Sequence, residues 1–251
     1  MQPMLSKAIV KYIQSLAHKK VRDEDGVFMA EGTKVVEELL ISGKFNCNMI
    51  CALPGWFSMH QNILKNFSKE DLLEITEFEL QKISLLQTPS NVVAVFYKKD
   101  DEDVILKDNI SLMLDGLQDP GNMGTIIRTA DWFGIKNIIC SKECVDCYNP
   151  KVVQATMGSL ARVNIIYADI ENFIAENKDV NIYATSLSGK NIFSEKIKEG
   201  IILIGNEGKG VSENLLSLAD FQISIPKIGE AESLNAAVAT GIILAQITSY
   251  N

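Results

Sequence analysis

The sequence lacks a long apolar segment. Apolar runs such as residues 201–204 and 241–245 are far shorter than the roughly 20 residues that a membrane-spanning helix needs. Residues 1–16 contain lysines at positions 7 and 11, so they lack the continuous apolar region of a secretory signal. These absences disfavour membrane and secreted proteins, and we expect a cytoplasmic protein.

Histidine is scarce, and the cysteines do not form two pairs at metal-binding spacing. The chain has two histidines, His18 and His60, and five cysteines, an odd number. Cys144 and Cys147 have the spacing C-x-x-C, but a structural zinc site normally needs a second such pair or nearby histidines. We therefore predict no metal and ordinary thiols in a reducing compartment. A redox or metal role for this pair is the alternative.

Net positive charge is also missing. The chain has 24 basic and 32 acidic residues, a net charge of −8, which disfavours a protein that binds nucleic acid mainly through a bulk cationic surface. The first 22 residues are different, since they contain five basic residues and no acidic one: Lys7, Lys11, Lys19, Lys20 and Arg22. These side chains are predicted to contact phosphates, and the alternative is a solvated helix face.

A charge run at residues 98–103, KKDDED, separates two apolar parts of the sequence and predicts a solvated linker. We assign a domain to residues 1–99, the linker to 100–108 and a second domain to 109–251. In the first domain, apolar spacing predicts helices at 4–16 and 33–41 and strands at 27–30, 48–53, 72–75 and 92–97. This pattern is typical of a small α/β unit.

The second domain alternates short β-branched runs with helical patterns. Strands are predicted at 110–114, 137–140, 163–166, 180–184, 201–205 and 221–225, and helices at 123–133, 150–159, 170–176, 213–218 and 234–248. Such alternation predicts an α/β fold with a mostly parallel sheet covered on both faces.

In such sheets, ligands bind in the loops beyond the carboxyl ends of the strands, and three of these loops are unusual. The first, residues 114–125, is dense in Asp, Pro, Gly and Asn and precedes the helix that carries Arg128. The amides at that helix start are suited to an anion. The alternative is a simple turn with a surface arginine.

The second loop is GNEGKG at 205–210. Its spacing fits neither the dinucleotide fingerprint nor the P-loop, but its glycines allow a ligand to approach the backbone closely. Glu207 is an acid within this loop, and a solvated carboxylate is its alternative. In the third loop, residues 225–235, Ser233 is predicted to cap the helix 234–248, although Ser233 and Asn235 are also suited to binding a substrate.

Together the three loops resemble the three motifs of the SpoU (TrmH-like) group of the SPOUT methyltransferases, in the same order. The motif positions are Asn122, Gly124 and Arg128 in DPGNMGTIIRTA, then GNEGKG at 205–210, then Ile225 and Pro226 followed by Ser233, Leu234 and Asn235. Residues 149–158 are also similar, with Gln154 where many members carry Arg. Residues 1–99, above all FMAEG at 28–32, resemble the ribosomal-protein-like substrate-binding domain often fused to this group.

The resemblance implies transfer of a methyl group from S-adenosylmethionine to a ribose 2′-hydroxyl in RNA, in a SPOUT-type parallel sheet with a deep trefoil knot. It implies catalytic roles for Arg128, Asn122, Glu207, Ser233 and Asn235, and cofactor binding by Leu187, Ile204, Gly205, Gly208, Ile225, Pro226 and Leu234. It also implies a homodimer whose site is completed across the interface. Ribosomal RNA is favoured over transfer RNA. The alternatives are a catalytically idle RNA-binding or assembly factor and a methyltransferase for small molecules or proteins.

Overall fold

A computed structural model describes residues 5–100 and 102–249. Contacts group these residues into two compact units, one with residues 5–100 and 146–161 and one with residues 102–145 and 162–249. Residues 146–161 therefore pack with the first unit, although in sequence they lie within the predicted domain 109–251. The boundaries at 99 and 109 stay predictions. The predicted helix start at Met4 and the linker residue Asp101 lie outside the described residues.

The first unit is a four-stranded sheet with helices packed on it. Its strands are β1 (Val27–Glu31), β2 (Cys47–Ala52), β3 (Leu72–Glu74) and β4 (Val92–Tyr97), and its helices are α1 (Lys7–Ser15), α2 (Lys19–Asp25), α3 (Thr33–Ser42), α4 (Pro54–Met59), α5 (Glu77–Ile83) and, from residues 146–161, α7 (Pro150–Thr156). The strand order is β1-β4-β2-β3, with β2 and β3 parallel and the other neighbours antiparallel. The central β4 consists of β-branched, aromatic and Ala residues, most of them buried, which suits an inner strand.

Helix α5 begins at a capping box formed by Thr76 and Glu79, and Glu79 also binds the backbone amide of Leu5. The Thr76 hydroxyl accepts from the Glu79 amide at 3.3 Å, and Glu79 Oε2 accepts from the Thr76 amide at 2.9 Å. Glu79 Oε1 also accepts from the Leu5 amide at 2.6 Å. Burial by itself raises the pKa of Glu79, but these hydrogen bonds outweigh it and hold the pKa below its usual value.

Arg22, on α2, is buried, and the prediction that it contacts RNA phosphates is wrong. Its side chain is 1% exposed, and its Nη2 lies 2.5 Å from Asp146 Oδ2. Its Nη1 donates to the carbonyl oxygens of Leu16 and Ala17 at 2.9 and 3.0 Å. With its donors used inside the first unit, the guanidinium cannot reach a phosphate. The ion pair instead ties residues 146–161 to the N-terminal helices.

We expect Arg22→Ala to reduce the free energy of unfolding by about 3–5 kcal/mol, because it leaves the Asp146 carboxylate buried without its partner. Chemical denaturation with the matched variant Lys20→Ala tests this. Lys20 pairs with Glu24 at 3.7 Å on the surface, and such pairs contribute under about 1 kcal/mol. Equal stability of the two variants would contradict a structural role for the buried pair. The double variant Arg22→Met, Asp146→Leu is expected to recover much of the loss.

The second unit is a six-stranded parallel sheet with helices around it. Its strands are β5 (Ile110–Leu114), β6 (Asn137–Ser141), β7 (Asn164–Ala168), β8 (Ile182–Asn191), β9 (Gly200–Ile204) and β10 (Phe221–Ser224), and its helices are α6 (Pro120–Trp132), α8 (Ile170–Glu176), α9 (Glu213–Leu218) and α10 (Ala236–Thr248). The order is β10-β8-β9-β5-β6-β7, and every neighbouring pair is parallel. The predicted parallel α/β sheet is confirmed.

Strands β5, β6 and β9 are buried along their whole length, as expected for parallel strands covered on both faces. Because β9 and β5 are adjacent and parallel, the loops that follow them leave the same edge of the sheet. Across the described ranges 5–100 and 102–249, no helix combines the length and apolar character needed to cross a membrane.

Helix α10 begins two residues later than predicted, and its cap is a different residue. The side chain of Asn235, not that of Ser233, accepts from the amides of Ala237 and Val238 at 2.9 and 3.2 Å. The prediction of a Ser233 cap is therefore wrong. Both residue types are good caps, and the Asn235 side chain also donates a hydrogen bond to Asn122 on α6.

Candidate active site

Three loops meet at the carboxyl edge of the parallel sheet. They follow β5, β9 and β10 and correspond to the three loops singled out in the sequence. Helix α6 begins directly after the first loop, because Asp119 caps it by accepting from the Asn122 amide at 2.7 Å and Pro120 occupies the first turn. Asn122 is thereby placed at the N-terminal end of α6, facing the second loop.

Asn206 joins the first loop to the second. Its Nδ2 donates to the Gly116 carbonyl oxygen at 2.6 Å, and its Oδ1 accepts from the amides of Gly208 and Lys209 at 2.9 and 3.3 Å. The backbone of Asn206 also exchanges hydrogen bonds with Gly210 at 3.0 and 2.9 Å, which closes the loop. One amide side chain therefore sets the shape of the second loop and its position against the first.

We expect Asn206→Ala to destabilise the second loop, because it removes the partner of the Gly208 and Lys209 amides and of the Gly116 carbonyl. Because the two amides are exposed, the expected cost is about 0.5–1.5 kcal/mol for each lost hydrogen bond. Hydrogen exchange should become faster at Gly208 and Lys209 than in the wild type. Asn191→Ala is the matched control, since Asn191 makes the same type of local bond, to the Phe193 amide at 2.9 Å, outside the three loops. Unchanged hydrogen exchange at Gly208 and Lys209 in Asn206→Ala would contradict this role of Asn206.

The cavity beside these loops has a volume of about 750 Å³, within the range of small-molecule sites. All seven residues predicted to bind the cofactor line it: Leu187, Ile204, Gly205, Gly208, Ile225, Pro226 and Leu234. Two of the predicted catalytic residues, Glu207 and Ser233, line it as well. The cavity lies within the second unit, at the sheet edge that the topology predicts.

A chain of hydrogen bonds links the three loops at the cavity rim. Asn122 Nδ2 donates to Glu207 Oε1 at 3.0 Å, and Asn235 Nδ2 donates to Asn122 Oδ1 at 2.8 Å. Asn122 is thus oriented from both sides, and it fixes the half-buried Glu207 carboxylate beside the cavity. The structure brings together Asn122, Glu207 and Asn235, whose catalytic roles stay predictions.

Arg128 is placed differently from the other predicted catalytic residues. It lies six residues beyond Asn122 on α6, about 9 Å along the helix axis, and its side chain is exposed. It is not among the residues that line the cavity. Within the described part of the chain its side chain makes no hydrogen bond or ion pair. Its guanidinium therefore points to solvent on the outer face of α6, in the same stripe as Trp132, which is 84% exposed.

Two residues at the end of β6 and just beyond it, Ser141 and Cys144, support the first loop and were not predicted as site residues. Ser141 Oγ accepts from the Gly116 amide at 3.0 Å, and Cys144 Sγ accepts from the Leu117 amide at 3.3 Å. A hydrogen bond from Cys140 and others from Ser141 and Leu117 outweigh burial and lower the pKa of Cys144 to about 7. These residues lie at or just beyond the carboxyl end of β6, the strand that pairs with β5. This position in the sequence is what could have predicted that they support the first loop.

The redox or metal role for Cys144 and Cys147 stays an alternative. None of the five cysteines forms a disulfide. No group of three or more His, Cys, Asp or Glu among the described residues is arranged to hold a metal ion.

The predicted phosphate contacts of the first unit are only partly available. Lys7 and Lys11 on α1 and Lys19 and Lys20 on α2 are exposed. Lys19 pairs with Asp23, and Lys20 with Glu24, each at 3.7 Å. Because these acids lie one turn further along α2, the positive charge is concentrated on α1.

Comparison with known families gives matches in both parts of the chain. Residues 109–245 match the model of the SpoU rRNA Methylase family. Residues 7–94 match the model of the MRM3-like substrate binding domain. The first match contains all three motif loops and every predicted catalytic residue.

Individual relatives extend along nearly the whole chain. The 23S rRNA (guanosine(2553)-2′-O)-methyltransferase RlmP of Bacillus subtilis is 29% identical, with 94% of each chain covered. An AdoMet-bound rRNA methyltransferase from Sinorhizobium meliloti is 34% identical, covers 98% of this chain and 96% of its own, and has a TM-score of 0.88. The SpoU methyltransferase AviRb of Streptomyces viridochromogenes, in complex with AdoMet, shares the fold at 24% identity, with 98% of each chain covered and a TM-score of 0.85. The chain belongs to the SpoU rRNA methylase family of RNA methyltransferases and carries an N-terminal MRM3-like substrate-binding domain.

Proposed function

We propose that this protein transfers the methyl group of S-adenosylmethionine to the 2′-hydroxyl of a ribose in ribosomal RNA. The observation that carries the proposal is the hydrogen-bonded chain Asn235–Asn122–Glu207 at the rim of a cavity lined by all seven predicted cofactor residues. The relatives from Bacillus subtilis and Sinorhizobium meliloti, which are rRNA methyltransferases by name, support the reaction and the substrate class.

The cavity residues fit S-adenosylmethionine. Apolar side chains such as Leu187 and Leu234, each about half or more exposed, offer surface for an adenine ring, and the backbone of the three loops offers donors and acceptors. At Gly205 a Cβ would lie 2.0 Å from the Gly210 carbonyl carbon, so the loop closes tightly where no side chain fits. When bound, the cofactor supplies a methyl group on a positively charged sulfur, which needs no metal for its transfer.

The protein residues would orient the ribose and stabilise charge on its 2′-oxygen. Glu207, which accepts a hydrogen bond from Asn122, would bind the 2′-hydroxyl or accept its proton. Arg128 would clamp the adjoining phosphate and stabilise the developing alkoxide, since a guanidinium keeps its proton in proteins. Ser233 and Asn235 would position the ribose. A literal base role for Arg128 is the alternative.

A homodimer would explain the placement of Arg128. Its side chain does not line the cavity of its own chain, and it shares an exposed stripe of α6 with Trp132. Helix α10 packs beside α6 and exposes Val238. We propose that these two helices form the dimer face and bring Arg128 of one protomer to the cavity of its partner. On the basis of the family resemblance we also propose a trefoil knot in the methyltransferase domain and a cytoplasmic location.

Ribose-methylation mapping of total RNA from cells with and without the gene tests the proposal. We expect the loss of one 2′-O-methyl position, in ribosomal RNA. Loss of a transfer RNA position would redirect the substrate, and loss of none would contradict the activity. Calorimetry with S-adenosylmethionine separates an enzyme from a catalytically idle assembly factor, because the idle factor has no need to bind the cofactor.

A further inference from the structure

A second cavity lies wholly within the first unit, away from the residues assigned above. Its volume is about 240 Å³, below the roughly 300–1,000 Å³ of sites for drug-sized ligands. It therefore suits one small ring system. Its walls come from the end of β1, from residues 85 and 86 after α5, and from one side of α7.

The cavity exists because two family segments pack together. Met29, Glu31, Leu85 and Leu86 belong to the match with the substrate-binding domain, whereas the α7 residues belong to the match with the methylase family. Helix α7 packs against β1 in the first unit. A ligand here would contact both the substrate-binding domain and a segment of the methylase sequence.

The wall at residues 84–90 is held by a buried carboxylate. Glu31 is 5% exposed. It accepts from the Ser84 hydroxyl, and from the amides of Leu85 and Ser90 at 3.0 and 3.4 Å. These three hydrogen bonds to Glu31 hold residues 84–90 in place. The cavity is therefore preformed, which lowers the entropy cost of binding.

The lining combines apolar surface with polar groups that have capacity for a ligand. Leu85, Leu86 and Pro150 present apolar surface, and Leu85 is 43% exposed. Gln154 is half-buried, and among the described residues its amide has no hydrogen-bond partner. A carboxamide offers both a donor and an acceptor, the combination that reads the edge of a base. Lys151, exposed on α7, supplies a cation for a phosphate.

From these features we infer that the cavity binds one unpaired nucleobase of the RNA substrate. The base lies against Leu85, Leu86 and Pro150, Gln154 bonds to its edge, and Lys151 contacts a neighbouring phosphate. Sequence-specific RNA recognition generally uses such splayed, unpaired bases. This inference rests on the proposed function for its RNA partner, and it adds a specificity site to the first unit.

Two variants test the cavity. Ala155→Phe fills it, because Ala155 is part of the lining, and Gln154→Leu removes the amide at nearly constant volume. Their matched controls are Ala175→Phe on α8 and Gln81→Leu on α5, at exposed positions outside both cavities. Thermal unfolding identifies any variant that fails to fold, and Gln154→Leu keeps the test valid if Ala155→Phe does not fold.

The probe is deproteinised ribosomal RNA from cells lacking the gene, assayed by filter binding and by methyl transfer. We expect both cavity variants to raise the dissociation constant and the KM for this RNA about tenfold, a typical effect of one base contact. Affinity for S-adenosylmethionine and kcat at saturating RNA should stay unchanged, and the controls should behave as wild type. Unchanged RNA affinity in both variants overturns the inference.

Two further outcomes separate this inference from the proposed function. If the wild type binds the RNA but transfers no methyl group, the proposed activity fails, while the binding data still decide the cavity. If the variants act on free RNA as wild type does but fail only on ribosomal subunits, the cavity binds a protein and the inference is wrong.

Discussion

Arg128→Ala is expected to lower kcat for methyl transfer by about 10³-fold, the effect of removing one preorganised charge from a transition state. The affinity for S-adenosylmethionine should stay unchanged, because the role proposed for Arg128 is contact with the RNA phosphate and the 2′-oxygen, not with the cofactor. Folding should also be unaffected, since the exposed side chain makes no hydrogen bond or ion pair within the described ranges. Single-turnover methyl transfer and calorimetry measure the two effects separately.

Arg162→Ala is the matched control for this substitution. Arg162 is a partly exposed arginine in the same unit, and its guanidinium pairs with Asp131 at 2.9 Å. Its loss should change transfer little. Arg128→Lys then distinguishes a phosphate clamp from a base. Lysine is also a cation, so it should partly replace a phosphate clamp, although it cannot form the two parallel hydrogen bonds of a guanidinium. Near-normal turnover of Arg128→Ala would refute the assignment.

The position of the candidate site can be predicted from the local pattern of strands and helices and from the topology of a parallel sheet. Alternation of β-branched runs and helical patterns predicts a parallel sheet, and parallel strands bring their following loops to one edge. For this reason the loops at 114–125, 205–210 and 225–235 are found together, and the cofactor residues that the resemblance assigns to them, with Leu187 and Ile204, line one cavity.

What the sequence does not predict depends on partners that are distant in the chain. Arg22 belongs to a basic cluster by composition, but it is buried because Asp146, 124 residues away, lies beside it. The choice of Asn235 over Ser233 as the helix cap is also non-local. Local propensity accepts either residue, whereas the hydrogen bond to Asn122 favours Asn235. The packing of residues 146–161 with the first unit is a third case, and it creates the second cavity.

Gly205→Ala is expected to lower the affinity for S-adenosylmethionine by about 10- to 100-fold, because forcing an extra methyl group into a tightly packed site costs about 1–3 kcal/mol and each 1.4 kcal/mol is tenfold in affinity. The added Cβ would lie 2.0 Å from the Gly210 carbonyl carbon and 2.1 Å from the Val211 nitrogen. Both are backbone atoms, so the second loop has to open and break the bridge between Asn206 and Gly210. Calorimetry measures the loss. Gly55→Ala, where no atom lies within 4 Å of the new Cβ, is the control for adding a methyl group.

Mixing the Gly205→Ala and Arg128→Ala chains tests how the site is assembled. In a mixed dimer, one cavity stays intact on the Arg128→Ala chain and one Arg128 stays on the Gly205→Ala chain. If Arg128 serves the cavity of its partner, random mixing should restore about a quarter of wild-type activity, since half of the dimers are mixed and each has one complete site. If Arg128 serves its own cavity, no complete site forms and the mixture stays inactive. Inactivity of a mixture shown to contain mixed dimers would therefore contradict a shared site.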